Sequence, residues 1–202
     1  MNLKNLKVKD FYGRFNKNFE GILNFSFFDG KGDLIFKVNF IEPVFTGNFS
    51  IKDFDINKLA TSFNEKIIIN GFMNISGNFN ISKNNLEIEA IFNSAKTRNM
   101  RQYMNFGAIQ LLTSLSGANP VKRVGSSNFY YKEMKGKISL KNNYLTIEGL
   151  AGEKGESQYL IIKPFLLPGI NILIDKRNNT IQIDELINRI NLAIERIKKK
   201  NE

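Results

Sequence analysis

Carboxylates are the side chains in this sequence whose spacing comes nearest to catalysis. Asp53 and Asp55, Glu87 and Glu89, and Glu153 and Glu156 stand two or three residues apart. Such pairs act as general acid and general base when their surroundings push the two pKa values apart. Glu87 and Glu89, however, alternate with Leu86, Ile88 and Ala90 in LEIEAIF, which puts both on the wet face of one strand, where they are solvated. Ser126 and Ser127 have no histidine or plausible lysine relay near them in sequence. The chain contains no His and no Cys. That removes thiol and imidazole nucleophiles, histidine bases, Cys/His zinc sites and haem axial histidines together. No catalytic residue, metal or cofactor is expected. A hydrolase built on acidic residues would need those residues to cluster in a pocket. GKG at Gly30 to Gly32 lacks the flanking pattern of a phosphate cradle and reads as a hairpin tip.

The 202 residues carry a formal charge of +10, with 42% hydrophobic residues, 18 Phe and no Trp. A basic balance suits nucleic acid or anionic lipid heads. Lys96, Arg98 and Arg101 fall at the start of a predicted helix, where they would meet phosphate heads or simply water. The aromatics alternate away from the charges, whereas single-stranded nucleic acid calls for the two interleaved on one face. Nucleic acid is therefore not an expected partner. No apolar run reaches the ~18 residues of a membrane span, and MNLKNLKVKD lacks the apolar core of a secretory signal. The missing Cys leaves the compartment open.

The elements behind these residues are mostly strands. KIIINGFMNISGNFNI, Lys66 to Ile81, has Ile67, Ile69, Met73, Ile75, Phe79 and Ile81 on one side and mainly Asn and Ser on the other. The same alternation runs through Phe19 to Phe27 and Leu34 to Phe40, with the DGKGD turn (Asp29 to Asp33) between them and glycines able to supply positive φ. A third run follows Pro43. SKNN (Ser82 to Asn85) reverses the chain into Leu86 to Phe92. Asp55 to Phe63 predicts a short helix behind an Asp cap, and Thr97 to Ser116 a longer one, ended by Gly117 and Pro120. Strands return at Asn128 to Leu140, Tyr144 to Gly152, Ser157 to Lys163 and Gly169 to Asp175. Ile183, Ile187, Ile190, Ile194 and Ile197 form the apolar stripe of a last helix. The expected architecture is one domain over residues 1–202: a first β half with a short helix (1–96), a helix (97–120), a second β half (121–181) and a C-terminal helix (183–200). Nine or ten strands spaced ~4.8 Å apart outrun what three helices ~10 Å wide can cover.

The segment GSSNFYYKEMKGKISLKNNYLTIEGLAGEKGESQYLI, Gly125 to Ile161, resembles the C-terminal region of AsmA-like proteins, among them large periplasmic bridging proteins of Gram-negative bacteria. The matching positions are Phe129, Tyr130, Gly136, Ile138, Leu140, Leu145, Ile147 and Gly149. MNFGAIQLLTSLSGANP, Met104 to Pro120, looks like the helix that precedes this strand pair. GNFSIKDFDINKLATSF followed by IINGFMNISGNF looks like the family's recurring strand, short helix and Gly-led strand. The resemblance covers about residues 45–190. It implies a long curled antiparallel sheet, apolar inside and polar outside, that passes phospholipid between inner and outer membrane. The family's N-terminal membrane anchor has no counterpart here. The chain is thus expected to be a terminal fragment or single module in the periplasm, held to the inner membrane through a segment it does not contain.

From the alternation and this resemblance, the residues expected to face a lipid groove are Phe25, Phe27, Phe36, Val38, Ile69, Met73, Ile75, Phe79, Ile88 and Ile147. Phospholipid is the expected partner, with a membrane surface beneath the longer helices and the basic C-terminus. The rival reading is a structural or assembly protein of the envelope, its apolar face sealed by its own helices or by another chain.

Overall fold

The computed structural model of the chain describes residues 5–95, 101–115, 128–152 and 159–199. The chain opens as an antiparallel meander: β1 (Leu6–Phe15), β2 (Asn18–Phe27), β3 (Gly30–Asn39) and β4 (Val44–Asp55). Helix α1 (Ile56–Phe63) and β5 (Ile69–Asn70) lead into β6 (Phe72–Ser82) and β7 (Leu86–Ser94). Then come β8 (Tyr103–Asn105), α2 (Phe106–Leu115), β9 (Asn128–Tyr130), β10 (Glu133–Lys141) and β11 (Tyr144–Gly149). Strands β12 (Tyr159–Ile162), β13 (Ile172–Leu173) and β14 (Thr180–Gln182) precede the last helix, α3 (Ile183–Lys199).

Eleven strands form one sheet with the path β1-β2-β3-β4-β6-β7-β10-β11-β14, while β12 pairs with β10 and β13 with β12. A second, three-stranded sheet has the order β5-β8-β9. The fold is thus mainly β and antiparallel, with three helices, as expected. The pairing of β7 with β10 joins the two predicted β halves into one sheet. The expected gutter is not seen: the large sheet is not strongly curled. Sharp curvature is built from bulges or glycine kinks repeated along the strands. Here the described register shifts fall only at β1/β2, β4/β6 and β12/β13.

Two of those shifts keep the sheet one-sided. Val8 pairs with Phe25 and Asp10 with Asn24, so Lys9 is an extra residue in β1. Leu6 and Val8 before it then share a face with Phe11 and Phe15 after it. The phase change hides the strand from a period-2 reading, which is why β1 is absent from the predicted strands. In β4, Ile51 pairs with Ile75 and Phe54 with Met73, again one residue too many. Asp53 sits there at φ +55, its N–H donating to Asn74 Oδ1 at 2.9 Å.

Three predicted elements are shorter than expected. The Lys66 to Ile81 strand breaks at Gly71, where φ is +152. A Cβ there would also lie 2.6 Å from the Tyr131 hydroxyl oxygen, so glycine is required twice over. The Asn128 to Leu140 strand breaks between Tyr130 and Glu133, and its two parts belong to different sheets. The predicted helix from Thr97 starts only at Phe106, because Tyr103 to Asn105 pair between β5 and β9. Asn105 fixes that boundary. Its Oδ1 accepts from Ala108 N at 3.0 Å as a helix cap and from Ile68 N at 3.1 Å, while its Nδ2 donates to Lys66 O at 2.7 Å. Arg101 therefore lies ahead of a strand and not at a helix start. Lys96, Arg98, Gly117, Pro120, Ser126, Ser127, Glu153 and Glu156 fall outside the described residues. The Asp29 to Asp33 turn also differs. Positive φ falls on Phe28 (+44) and Asp29 (+67), while Gly30 and Gly32 are strand residues. Phe25 and Phe54 need those glycines: a Cβ on Gly32 would lie 2.3 Å from the Phe25 ring, and one on Gly30 would lie 2.7 Å from Phe54 Cβ.

The closed core sits at one end of the large sheet. Ile67, Met73, Met104, Ile109 and Ile161 are its most deeply buried large side chains. Phe28, Phe54, Tyr131, Met134 and Ile197 join them. The helices pack chiefly on β5, β8, β14 and, for α2 and α3, on each other. Tyr131 ties the two sheets together, its hydroxyl donating to Asn70 O at 3.1 Å. Burial raises its pKa well above the ordinary tyrosine value of about 10. The folded state thus favours the neutral phenol. Its contribution to stability is complete below about pH 10 and is lost as pH rises beyond it. Melting temperature followed from about pH 8 to about pH 11 is expected to fall more steeply for the native chain than for Tyr131→Phe.

Candidate functional site

Register places almost every apolar strand residue of the large sheet on one face. Across one row run Leu23, Leu34, Phe49, Gly77, Ala90, Ile138 and Ile147, each paired with the next. The neighbouring row runs Gly13, Gly21, Phe36, Gly47, Phe79, Ile88, Leu140 and Leu145. The other face carries Glu20, Asn24, Ser26, Lys37, Asn48, Asn78, Glu89 and Lys137. The predicted site residues divide accordingly. Phe25, Phe27, Phe36, Val38, Met73, Ile75, Phe79, Ile88 and Ile147 share the apolar face. Ile69 belongs to the small sheet and lies in the closed core with Met73. Phe27, Ile75 and Ile147 pack against that core. Phe25, Phe36, Val38 and Ile88 lie outside it and keep partial exposure.

That remaining area is the open part of the face. Phe11, Phe15, Phe19, Leu23, Phe25, Leu34, Phe36, Val38, Phe45, Phe49, Ile81, Leu86 and Ile88 all lie away from the closed core, and none is fully buried. Phe11 and Phe15 are 53% and 73% exposed. Among the described residues no helix packs chiefly on β1 to β4.

Aromatic rings form a track across these strands. Phe11 and Phe19 are 6.1 Å apart between ring centres, Phe19 and Phe36 5.8 Å, Phe36 and Phe45 5.4 Å, and Phe45 and Phe79 4.7 Å. They come from five adjacent strands: β1, β2, β3, β4 and β6. Glycines make room for the rings to lie against the sheet. A Cβ on Gly13 would stand 2.6 Å from Phe19 Cζ, on Gly21 2.5 Å from Phe36 Cζ, and on Gly47 2.7 Å from Phe79 Cζ. Ring covering glycine across a strand pair is a known way to shield backbone that has no side chain. It also keeps the face low in relief. Alternation in the sequence finds Phe19, Phe36, Phe45 and Phe79, but not Phe11 or the glycines beneath Phe19, Phe36 and Phe79, because those partners lie on another strand.

An open hollow lies on the opposite face of this part of the sheet. A cleft of about 710 Å3 is lined by Tyr12, Arg14, Glu20, Ile22, Ile35, Lys37, Thr46, Asn48 and Asn78, with the Gly13 to Phe79 row between them. Tyr12, Ile22 and Ile35 pair in turn, an apolar strip on a mostly polar face. A second cavity of about 620 Å3 lies beside α3, lined by Leu112, Ile147, Leu160, Ile174, Ile181 and Leu186 among others. Ile147 is the predicted site residue found there.

The carboxylates have other tasks. Glu87 meets Lys141 Nζ at 3.2 Å and Glu89 meets Lys137 Nζ at 3.2 Å. The hydrogen bond from Lys141 holds the Glu87 carboxyl below its ordinary pKa. Asp55 caps α1 by accepting from Asn57 N at 2.8 Å and Lys58 N at 3.2 Å. Among the described residues no acidic group gathers closely enough to hold a metal. No described helix is long and apolar enough to cross a membrane.

The glycines give this geometry a direct check. At Gly77 an added Cβ would meet Glu89 O at 2.1 Å and Ala90 Cα at 2.8 Å, both backbone atoms. At Gly21 it would meet only the Phe36 ring, which can swing off the partly exposed face. Gly77→Ala is expected to cost about 1–3 kcal/mol, and Gly21→Ala clearly less. Urea denaturation of the two variants measures the difference, and equal losses would contradict the packing described.

In comparisons with known proteins, no family model, no curated protein and no solved structure matches this chain.

Proposed function

We propose that the chain is a non-enzymatic lipid-binding module of the bacterial envelope. Phospholipid acyl chains lie on the open part of its apolar sheet face, over the aromatic track. The carrying observation is that this face continues well beyond its own cover. Six strands, β1 to β4 with β6 and β7, span about 24 Å at ~4.8 Å spacing. An acyl chain crossing half a bilayer core reaches about 15 Å, so the track accommodates one along its length. Burying each methylene against it is worth ~0.8 kcal/mol. A continuous apolar patch of this kind on a folded protein marks a binding surface more often than an accident of packing.

The resemblance to AsmA-like proteins supports the same reading and adds its setting: the periplasm, transfer between inner and outer membrane, and anchorage through a segment outside this chain. The rival reading, a structural or assembly protein whose sheet is closed by its own helices, fits the core end, where Met73 and Ile69 are sealed. It leaves Phe11, Phe19, Phe36 and Phe45 unexplained unless another chain covers them.

Adjacent residues of β3 separate these readings. Phe36 lies on the track, and Ile35, half exposed, points to the opposite face. Phospholipid that co-purifies with the chain, measured by mass spectrometry, is expected to fall about tenfold in Phe36→Asp, equivalent to ~1.4 kcal/mol. It should be unchanged in Ile35→Asp. Equal phospholipid in both folded variants would refute the assignment.

A further inference from the structure

The segment KPFLLPG, Lys163 to Gly169, links β12 to β13 and carries the two most exposed large apolar side chains of the described residues. Phe165 is 98% exposed and Leu166 87%, with Leu167 beside them at 39%. Exposure of this degree usually accompanies a floppy loop, but this one is pinned at its base. Pro164 and Pro168 fix φ on either side of the tip. The Pro168 carbonyl accepts the Tyr130 N–H at 3.0 Å, and Gly169 forms a bridge with Tyr130. Lys163 N–H donates to Asn171 Oδ1 at 2.8 Å. The two ends lie so close that a Cβ on Gly169 would stand 2.8 Å from Lys163 Cβ and 3.0 Å from Pro164 Cδ. The loop therefore holds three apolar side chains outward, with little conformational freedom left to lose on binding.

Basic side chains surround its base. Lys163 is exposed, and Lys132, also exposed, bonds through its N–H to Ile162 O at 2.7 Å, which sets it beside Lys163. Exposed Arg101 precedes Gln102, whose carbonyl accepts the Tyr131 N–H at 3.1 Å. The next acidic residue, Glu133, is turned aside to accept the Gly152 N–H at 3.1 Å. Three side chains on a projecting tip fall far short of the roughly 800 Å2 per partner that a stable protein interface buries. A bilayer needs no complementary surface: apolar tips enter the acyl boundary while cations stay among the heads. We infer that the Lys163–Gly169 loop is a membrane-insertion tip that docks the chain on anionic lipid surfaces, with Phe165 and Leu166 entering the hydrocarbon boundary and Lys132, Lys163 and Arg101 meeting the head groups. This does not depend on whether the sheet face carries lipid.

The chain has no Trp, so Phe165→Trp installs a single reporter at the tip. Its emission is expected to shift to the blue on adding phosphatidylcholine vesicles that contain phosphatidylglycerol, and to be quenched by lipids brominated along their chains. The binding constant of the otherwise native chain, from vesicle co-sedimentation, is expected to drop about tenfold or more in Phe165→Ser/Leu166→Ser, with an unchanged melting curve because both side chains are exposed. Ile41→Ser, an exposed apolar residue on the β3–β4 turn, should leave binding as it was. Three outcomes would each overturn the inference. One is an unshifted Phe165→Trp emission with anionic vesicles. Another is a shift produced by protein concentration alone, which would mean that the tip packs on a second copy. The third is vesicle binding that salt abolishes but the double serine variant does not alter, which would reduce the effect to net charge. Co-purified phospholipid, the readout for the sheet face, should be the same in the double serine variant and the native chain.

Discussion

Phase governs this molecule. In a strand, side chains alternate between two faces, and a slip of one residue exchanges them. The large sheet keeps most of its Phe, Leu, Ile, Val and Gly on the same side, with Ile22, Ile35 and Ile91 as exceptions. Where the sequence itself loses step, at Lys9 and at Lys52–Asp53, a bulge absorbs the extra residue and restores the phase. The price of the second bulge is a left-handed Asp53, offset by a hydrogen bond from its N–H to Asn74. Everything else about the surface follows, because a sheet that is apolar on one side must have that side removed from water by something.

The chain supplies part of that cover. Two strand-like runs leave the plane of the large sheet, at Gly71 and at Tyr131, and build the small sheet over one end. Helices α2 and α3 complete the cover there. Polar side chains hold the junction together from within the apolar setting: Asn105 joins β8, α2 and the Lys66–Ile68 segment, and Tyr131 reaches Asn70 across the boundary. Each is satisfied by backbone groups, which is the condition for tolerating polar atoms in such a place. The cover stops near Met73 and Phe54. Beyond it the strands run on for half their length, and their rings shield one another and the glycine backbone beneath.

The polar face shows the opposite logic. Lysine and glutamate meet on neighbouring strands, directly opposite at Lys141 and Glu87 and at Lys37 and Glu20, and diagonally at Lys137 and Glu89. Such exposed pairs contribute little to stability. They do favour this register, since a slip would part Lys37 from Glu20 and Lys141 from Glu87. Of the acidic residues that first suggest chemistry, Asp53, Asp55, Glu87 and Glu89 are thus engaged in pairing, capping and bulge geometry.

Alternation, turn residues and capping are local signals, and they were legible. The one-sided strands, the Asp55 cap with its short helix, the reversal at Ser82 to Asn85 and the Ile stripe of α3 all follow from residues within a turn or two of each other. Nine of the ten residues expected on one apolar surface do share one face. What local pattern could not contain is anything fixed by a partner distant in sequence. The break at Gly71 depends on Tyr131, and the late start of α2 depends on β5 and β9. The glycines of the DGKGD segment serve Phe25 and Phe54, so Phe28 and Asp29 take the strained turn instead. Ile69 and Phe36 look alike in alternation, yet one is sealed and the other partly open. Sequence alone determined that an apolar face exists, because period and composition are properties of the chain. Which half of that face is closed was decided only by tertiary packing, because cover comes from elements that the sequence order places far from the strands they protect.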